Sequence, residues 1–108
     1  MRMMLRFSIP VETGNEAVRN GTLGATLQGI LAEIKPEAAY FTEENGERTG
    51  YVFFDMNKSS ELPAIAEPFF LAFNAKITVR PAMTPQDLAD AGPHFERALK
   101  NYSRAAGA

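Results

Sequence analysis

The chain has 108 residues, the length of one domain, and a composition ordinary for a globular protein, 45% hydrophobic and 22% charged. Eleven Lys and Arg stand against thirteen Asp and Glu, a formal net charge of −2 that gives no electrostatic reason to seek nucleic acid or anionic lipid. With no cysteine and a single histidine, His94, the chain has no disulfide or thiolate chemistry, no iron–sulfur cluster and no histidine-rich metal site of its own.

Met3, Leu5, Phe7 and Ile9 alternate with Met4, Arg6 and Ser8, so the first segment is expected to be a strand with one strongly apolar face, stopped by Pro10. Arg6 and Ser8 break this run short of a signal peptide. No stretch approaches the length of a membrane span, and the expected setting is the cytoplasm. Thr13 and Glu16 have capping-box spacing and predict a helix start. Leu23, Leu27, Ile30, Leu31 and Ile34 continue as a helical stripe until Pro36. Gly21, Gly24 and Gly29 are costly in a helix interior. They imply either a break near Asn20-Gly21 or a closely approaching backbone.

Residues 38–43 and 48–56 read as two strands joined by Glu44-Asn45-Gly46-Glu47, a strong hairpin signal. The clustered Glu43, Glu44 and Glu47 are expected to form a solvated turn that keeps an edge polar. A helix follows from Ser59 or Ser60, with Pro63 in its first turn, Ile65, Phe69 and Phe73 on one face, and Pro68 inside it. Residues 75–80 alternate again. Thr84-Pro85-Gln86-Asp87 opens a C-terminal helix that Gly92-Pro93 interrupts, although Leu88, Phe95, Leu99 and Tyr102 keep one stripe.

This order predicts an α+β, ferredoxin-like split β-α-β domain. Its core is 1–83, with a four-stranded antiparallel sheet, two helices on one face and an added helical tail over 84–108. Two helices cover one face only, yet Tyr51-Val52-Phe53-Phe54 is apolar on both sides of its strand. The second face would carry Met4, Arg6, Ser8, Tyr40, Thr42, Tyr51, Phe53, Asp55, Thr78 and Arg80, too aromatic for bulk water. A second copy packed sheet against sheet would cover it; the alternative is the chain's own C-terminal helix.

The element order, the length and the two-sided third strand resemble the dimeric α/β-barrel superfamily, whose ferredoxin-like subunits pair their sheets into a barrel. The stretches 36–42, 66–70 and 81–88 also resemble a group of small bacterial proteins of unknown function. The resemblance implies a homodimer. It carries over no catalytic residue, because the superfamily holds isomerases, cofactor-independent monooxygenases and ligand-binding modules alike.

His94 is the one side chain whose ordinary pKa lies near neutrality, so it is a candidate general base; otherwise it is an exposed histidine at a helix start. With strand order 4-1-3-2, Arg6, Asp55 and Arg80 share a face. Asp55 is then a second candidate base, and Arg6 or Arg80 could clamp an anionic group while Tyr40 and Tyr51 donate hydrogen bonds. The competing account is a structural ion network. Phe69 and Phe73, around Pro68, are either plain core or the lining of an apolar gap under a helix. Gly50-Tyr51-Val52-Phe53-Phe54 resembles half of an RNA-stacking strand, but Arg6 stands where the other ring belongs, so no nucleic acid is expected. The expectation is a homodimer binding a small, partly apolar organic ligand, with no cofactor, metal or membrane. The alternatives are a cofactor-independent isomerase or monooxygenase, and a purely structural homodimeric protein.

Overall fold

Four antiparallel strands form one sheet in the order β2-β3-β1-β4: β1(Arg2–Ile9), β2(Ala38–Glu44), β3(Glu47–Asp55) and β4(Lys76–Pro81). The computed structural model describes the backbone of residues 1–107 and the side chains of 1–103. Helices α1(Val11–Arg19), α2(Leu23–Ile34) and α3(Leu62–Phe73) belong to the body of the domain; α4(Pro85–Asp90) and α5(Gly92–Gly107) follow the last strand. The arrangement is that of a ferredoxin-like fold.

The alternation of β1 determines which face is dry. Met3, Leu5, Phe7 and Ile9 are buried, and in register with them lie Phe54 and Val52 of β3, both buried too. Ile30, Phe69 and Phe73 close this core from the helical side. The Phe69 ring stacks on Phe7 with centroids 4.6 Å apart, and Phe41 meets Phe7 edge-on at 6.4 Å.

Gly50 is why Phe7 fits. It sits opposite Phe7 in the β1–β3 register, and any Cβ there would lie closer than 3.0 Å to the Phe7 ring. The hairpin between β2 and β3 turns at Asn45 and Gly46, both with positive φ (53° and 80°), as a two-residue primed turn requires.

Several boundaries differ from expectation. The first helix starts at Val11 directly after Pro10, without a side-chain cap, and the Thr13–Glu16 pair lies inside it. Pro10 already terminates the strand and presets the turn, so no capping box is needed. Of the two options left by the glycines, the chain takes the break: α1 and α2 are separate helices, with Gly21 at φ 70° between them. Gly24 and Gly29 then lie in α2 with open space where a Cβ would be. α3 runs from Leu62 to Phe73 through Pro68, after a short 3₁₀ turn at Ser59–Glu61.

The C-terminal segment does not provide the cover that was the alternative to a second copy: it does not lie over its own sheet. α4 begins at Pro85, where the Thr84 hydroxyl accepts from the Asp87 amide while Asp87 accepts from the Thr84 amide, a closed capping box. Among the described residues α5 packs chiefly against α4, and its exposed side chains do not cover the sheet. Every described side chain from Pro93 to Ser103 is exposed. The radius of gyration is 18.4 Å, where a compact chain of this size has about 13–14 Å, and the long axis of 62 Å is more than twice the other two. α4 and α5 are an arm.

Candidate functional site

The sheet face opposite α1–α3 is uncovered. Strand parity places Arg2, Met4, Arg6 and Ser8 of β1 on it, alongside Tyr51, Phe53 and Asp55 of β3, Ala38, Tyr40, Thr42 and Glu44 of β2, and Thr78 and Arg80 of β4. Met4 and Phe53 face each other and are half-buried, whereas Tyr40, opposite Tyr51, is 65% exposed.

At the centre lies a hydrogen-bonded cluster. Arg6 Nη1 donates to Glu44 Oε2 at 2.5 Å and Arg6 Nη2 to Thr78 Oγ1 at 3.3 Å, while Tyr51 Oη donates to Glu44 Oε1 at 2.8 Å. One carboxylate thus collects a guanidinium and a phenol from two other strands. The hydrogen bond from Arg6, seconded by Tyr51, holds the Glu44 carboxyl below the usual carboxylate range against the opposing effect of desolvation. Glu44 reciprocally raises the Arg6 guanidinium and the Tyr51 phenol, so both remain donors across the neutral range.

This is a correction to the expected solvated turn. Glu44 is a half-buried partner of Arg6; only Glu43 serves the turn, accepting from the Gly46 amide. The signal was available in the hairpin itself. Counting outward from Asn45-Gly46 pairs Tyr40 with Tyr51 and puts Glu44 on the Arg6 face, two residues beyond Thr42.

The other expected members of the cluster lie elsewhere. Asp55 is at the sheet end, exposed, and its Oδ1 takes the Met1 amino group at 2.7 Å. Arg80 is exposed on the same face as Arg6 and makes no ion pair among the described residues. His94 is exposed at the start of α5, its backbone amide donating to the Ala91 carbonyl. Phe69 and Phe73 are sealed in the core, at 0% and 2% exposure. The structure therefore brings together Arg6 and Tyr51, leaves Tyr40 and Arg80 on the same face without a side-chain hydrogen bond to them among the described residues, and keeps Asp55 and His94 apart from the cluster.

An ion pair, a side-chain hydrogen bond and a cavity under α2 were not anticipated, whereas a groove beside α3 lies where an apolar gap around Pro68 was expected. Arg2 forms a two-pronged pair with Glu37 at the edge of the open face, which lowers the Glu37 carboxyl. Arg48 Nη2 donates to Asn15 Oδ1 at 3.1 Å, its side chain lying across the space that Gly14 leaves in α1. A small apolar cavity of about 200 Å³ lies under α2 between Phe7, Leu23, Leu27 and Phe41, with Arg48 and Thr49 at its polar side. A larger groove of about 550 Å³ runs between α3 and β4, lined by Leu62, Ala66, Phe70, Ile77 and Val79 with Glu67 on its lip. Neither His94 nor Asp55 borders these spaces. Among the described residues no three His, Cys, Asp or Glu side chains are gathered to hold a metal ion, and no helix is long and apolar enough to cross a membrane. No family model matches the sequence, and no curated protein matches it.

Proposed function

We propose that this protein is a homodimeric binding module of the dimeric α/β-barrel type. Two copies appose their open sheet faces and enclose a chamber for a small organic anion with an apolar body. The observation that carries the reading is the chemistry of that face. Half-buried Met4 and Phe53 and the Tyr40 ring supply apolar contact. Arg6 stands ready in a fixed orientation, held by Glu44 and Thr78. Arg80, free of an ion pair among the described residues, supplies the charge that a carboxylate would meet. Met4 and Phe53 on an otherwise wet sheet are the kind of patch that marks an interface.

A binding module suits these residues better than an enzyme. A catalytic base has to reach its substrate in a cavity. Asp55 is committed to the Met1 amine at the sheet end, and His94 stands on the arm. The purely structural alternative requires a fully packed interior between the two faces. The Arg6–Glu44–Tyr51 cluster opposes dry packing, because charged groups buried without full pairing are costly. The resemblance of 36–42, 66–70 and 81–88 to small bacterial proteins accords with a cytoplasmic setting, as does the lack of cysteine.

The test uses the full chain in two measurements. Sedimentation velocity should give a dimer for the natural sequence and a monomer for Phe53→Asp. Salicylate, an apolar ring bearing a carboxylate, should move the Arg6, Tyr51 and Arg80 signals in NMR spectra and lose affinity in Arg80→Gln. A monomeric natural chain, or a Phe53→Asp dimer, refutes the apposed faces. A dimer whose open-face signals ignore salicylate refutes the anion chamber and favours the structural alternative.

A further inference from the structure

Arg48 stands on the helix-covered side of the sheet. Strand parity puts it in line with Gly50, Val52 and Phe54 of β3, and its register partner in β1 is the buried Ile9. A half-buried guanidinium on that side calls for a carboxylate, yet among the described residues none lies within ion-pair distance of it. Glu43, its register partner in β2, gives its carboxylate to the Gly46 amide instead. The arginine is nonetheless seated. Gly14 of α1 is buried, and a Cβ there would stand 2.5 Å from Arg48 Nη1, so the helix leaves out a side chain where the guanidinium lies. Asn15 Oδ1 accepts from Nη2 at 3.1 Å and fixes one prong of the fork.

The same side chain lines the cavity of about 200 Å³ under α2. Phe7, Leu23, Leu27 and Phe41 give that cavity an apolar wall. Phe7 is buried at its inner end, whereas Phe41, 56% exposed, stands at its mouth. Folded interiors keep few voids larger than a water molecule, so a space of this size between two half-buried leucines and the sheet stands out.

We propose that this cavity binds a small monocarboxylate with a compact apolar body, benzoate in size. The body lies among Phe7, Leu23, Leu27 and Phe41, and the carboxylate meets Arg48. Three observations select that occupant. The first is volume. A protein cavity of about 150 Å³ takes up a benzene ring, whereas drug-sized ligands occupy about 300–1,000 Å³. The space under α2 therefore suits one ring and one carboxylate. The second is the wall. A mostly apolar lining leaves the hydroxyls of a sugar or the oxygens of a phosphate unpaired. The third is charge. Arg48 is the one charged side chain in the lining, and its planar fork matches a carboxylate. This site goes beyond the chamber proposed above and does not rest on it. It lies on the opposite side of the sheet, within one protomer, and needs no second copy.

The test titrates benzoate and its uncharged analogue, benzyl alcohol, into the full-length protein and follows the leucine methyl and arginine Nε–H signals by NMR. Benzoate should move the Leu23, Leu27 and Arg48 signals saturably, and should bind about tenfold or more tighter than benzyl alcohol, the gain expected of a charge-assisted pair. Arg48→Met should remove that preference and leave benzyl alcohol binding unchanged. Leu27→Phe, which fills the space, should abolish binding of both probes at Leu23. Equal affinity of the natural chain for the two probes overturns the proposal, as do benzoate shifts that bypass Leu23 and Leu27. Undiminished benzoate binding by Leu27→Phe overturns it too. The measurements on the natural chain decide the matter even where a variant fails to fold. Phe53→Asp separates this site from the chamber, because it should leave the benzoate shifts at Leu23 and Leu27 intact. Their loss in Phe53→Asp, beside a response of Arg6 and Tyr51 in the natural chain, places the anion in the chamber and removes the cavity site. A monomeric natural chain that still shows the Leu23 and Leu27 shifts keeps the cavity site and removes the chamber.

Discussion

Replacing Gly50 by alanine adds one methyl group at a place where the structure has no slack. The new Cβ would stand closer than 3.0 Å to two atoms of the Phe7 ring and 3.2 Å from Phe41 Cδ1. Phe7 cannot retreat, because its other side is stacked on Phe69, which is wholly buried. Inserting a methylene into such a core costs about 1–3 kcal/mol. The loss of glycine's freedom in the unfolded chain returns about 0.4–1 kcal/mol. The net expectation is a destabilisation of roughly 1–2 kcal/mol, which in a domain of this size lowers the thermal midpoint by roughly 4–12 °C. Differential scanning calorimetry of Gly50→Ala measures it. Phe7→Leu, which shrinks the opposing ring, should partly rescue Gly50→Ala, so the double variant should be more stable than the sum of the two single losses implies. A Gly50→Ala protein as stable as the natural one, or a strictly additive double variant, would show that Phe7 and Gly50 are not locked as described.

The same substitution in α2 should act in the opposite direction. Gly29→Ala meets open space and replaces the poorest ordinary helix former by the best, so its midpoint should rise by an amount equivalent to about 0.5–1 kcal/mol; calorimetry giving a fall would refute a regular α2 there. Glu44→Gln should flatten the acid limb of the stability curve. The Glu44 carboxyl is held low in the fold, so its contribution is fully present above the ordinary carboxylate range and is lost as pH falls through its folded value. Denaturant midpoints of the two proteins should therefore converge below that range and separate above it; equal midpoints at neutral pH would mean that the Arg6–Glu44 contact contributes nothing. Tyr51→Phe should remove one late-ionising phenol from the alkaline ultraviolet titration, because Glu44 keeps the Tyr51 proton in place; an unchanged titration would refute that hydrogen bond.

The parts of the fold legible in the sequence are those set by short-range pattern. Period-two alternation marked the dry side of β1, and Asn45-Gly46 marked the hairpin. Pro36 and the αL residue before it, Lys35 at φ 54°, closed α2 within a residue of expectation. What escaped depends on register and on distance along the chain. The Arg6–Glu44 pair joins residues 38 positions apart, and only the β2–β3 and β1–β3 registers taken together put them on one face. The expected link between Asp55 and the arginines failed for a similar reason. Asp55 shares their face but ends its strand opposite Arg2, next to the Met1 amine. The place of the arm was not legible, because an apolar stripe says that a surface is needed, without saying whose.

β1 is an interior strand of the sheet and precedes both of its neighbours in the chain: Met3 is opposite Phe54 on one side and Pro81 on the other. On a ribosome adding about 5–20 residues per second, this apolar segment waits on the order of several seconds before its second edge is filled. During that interval it is an unsatisfied template for any other β-prone peptide. Synthesis speed between codons 10 and 81 is therefore expected to influence how much of the protein reaches its native state rather than an aggregate.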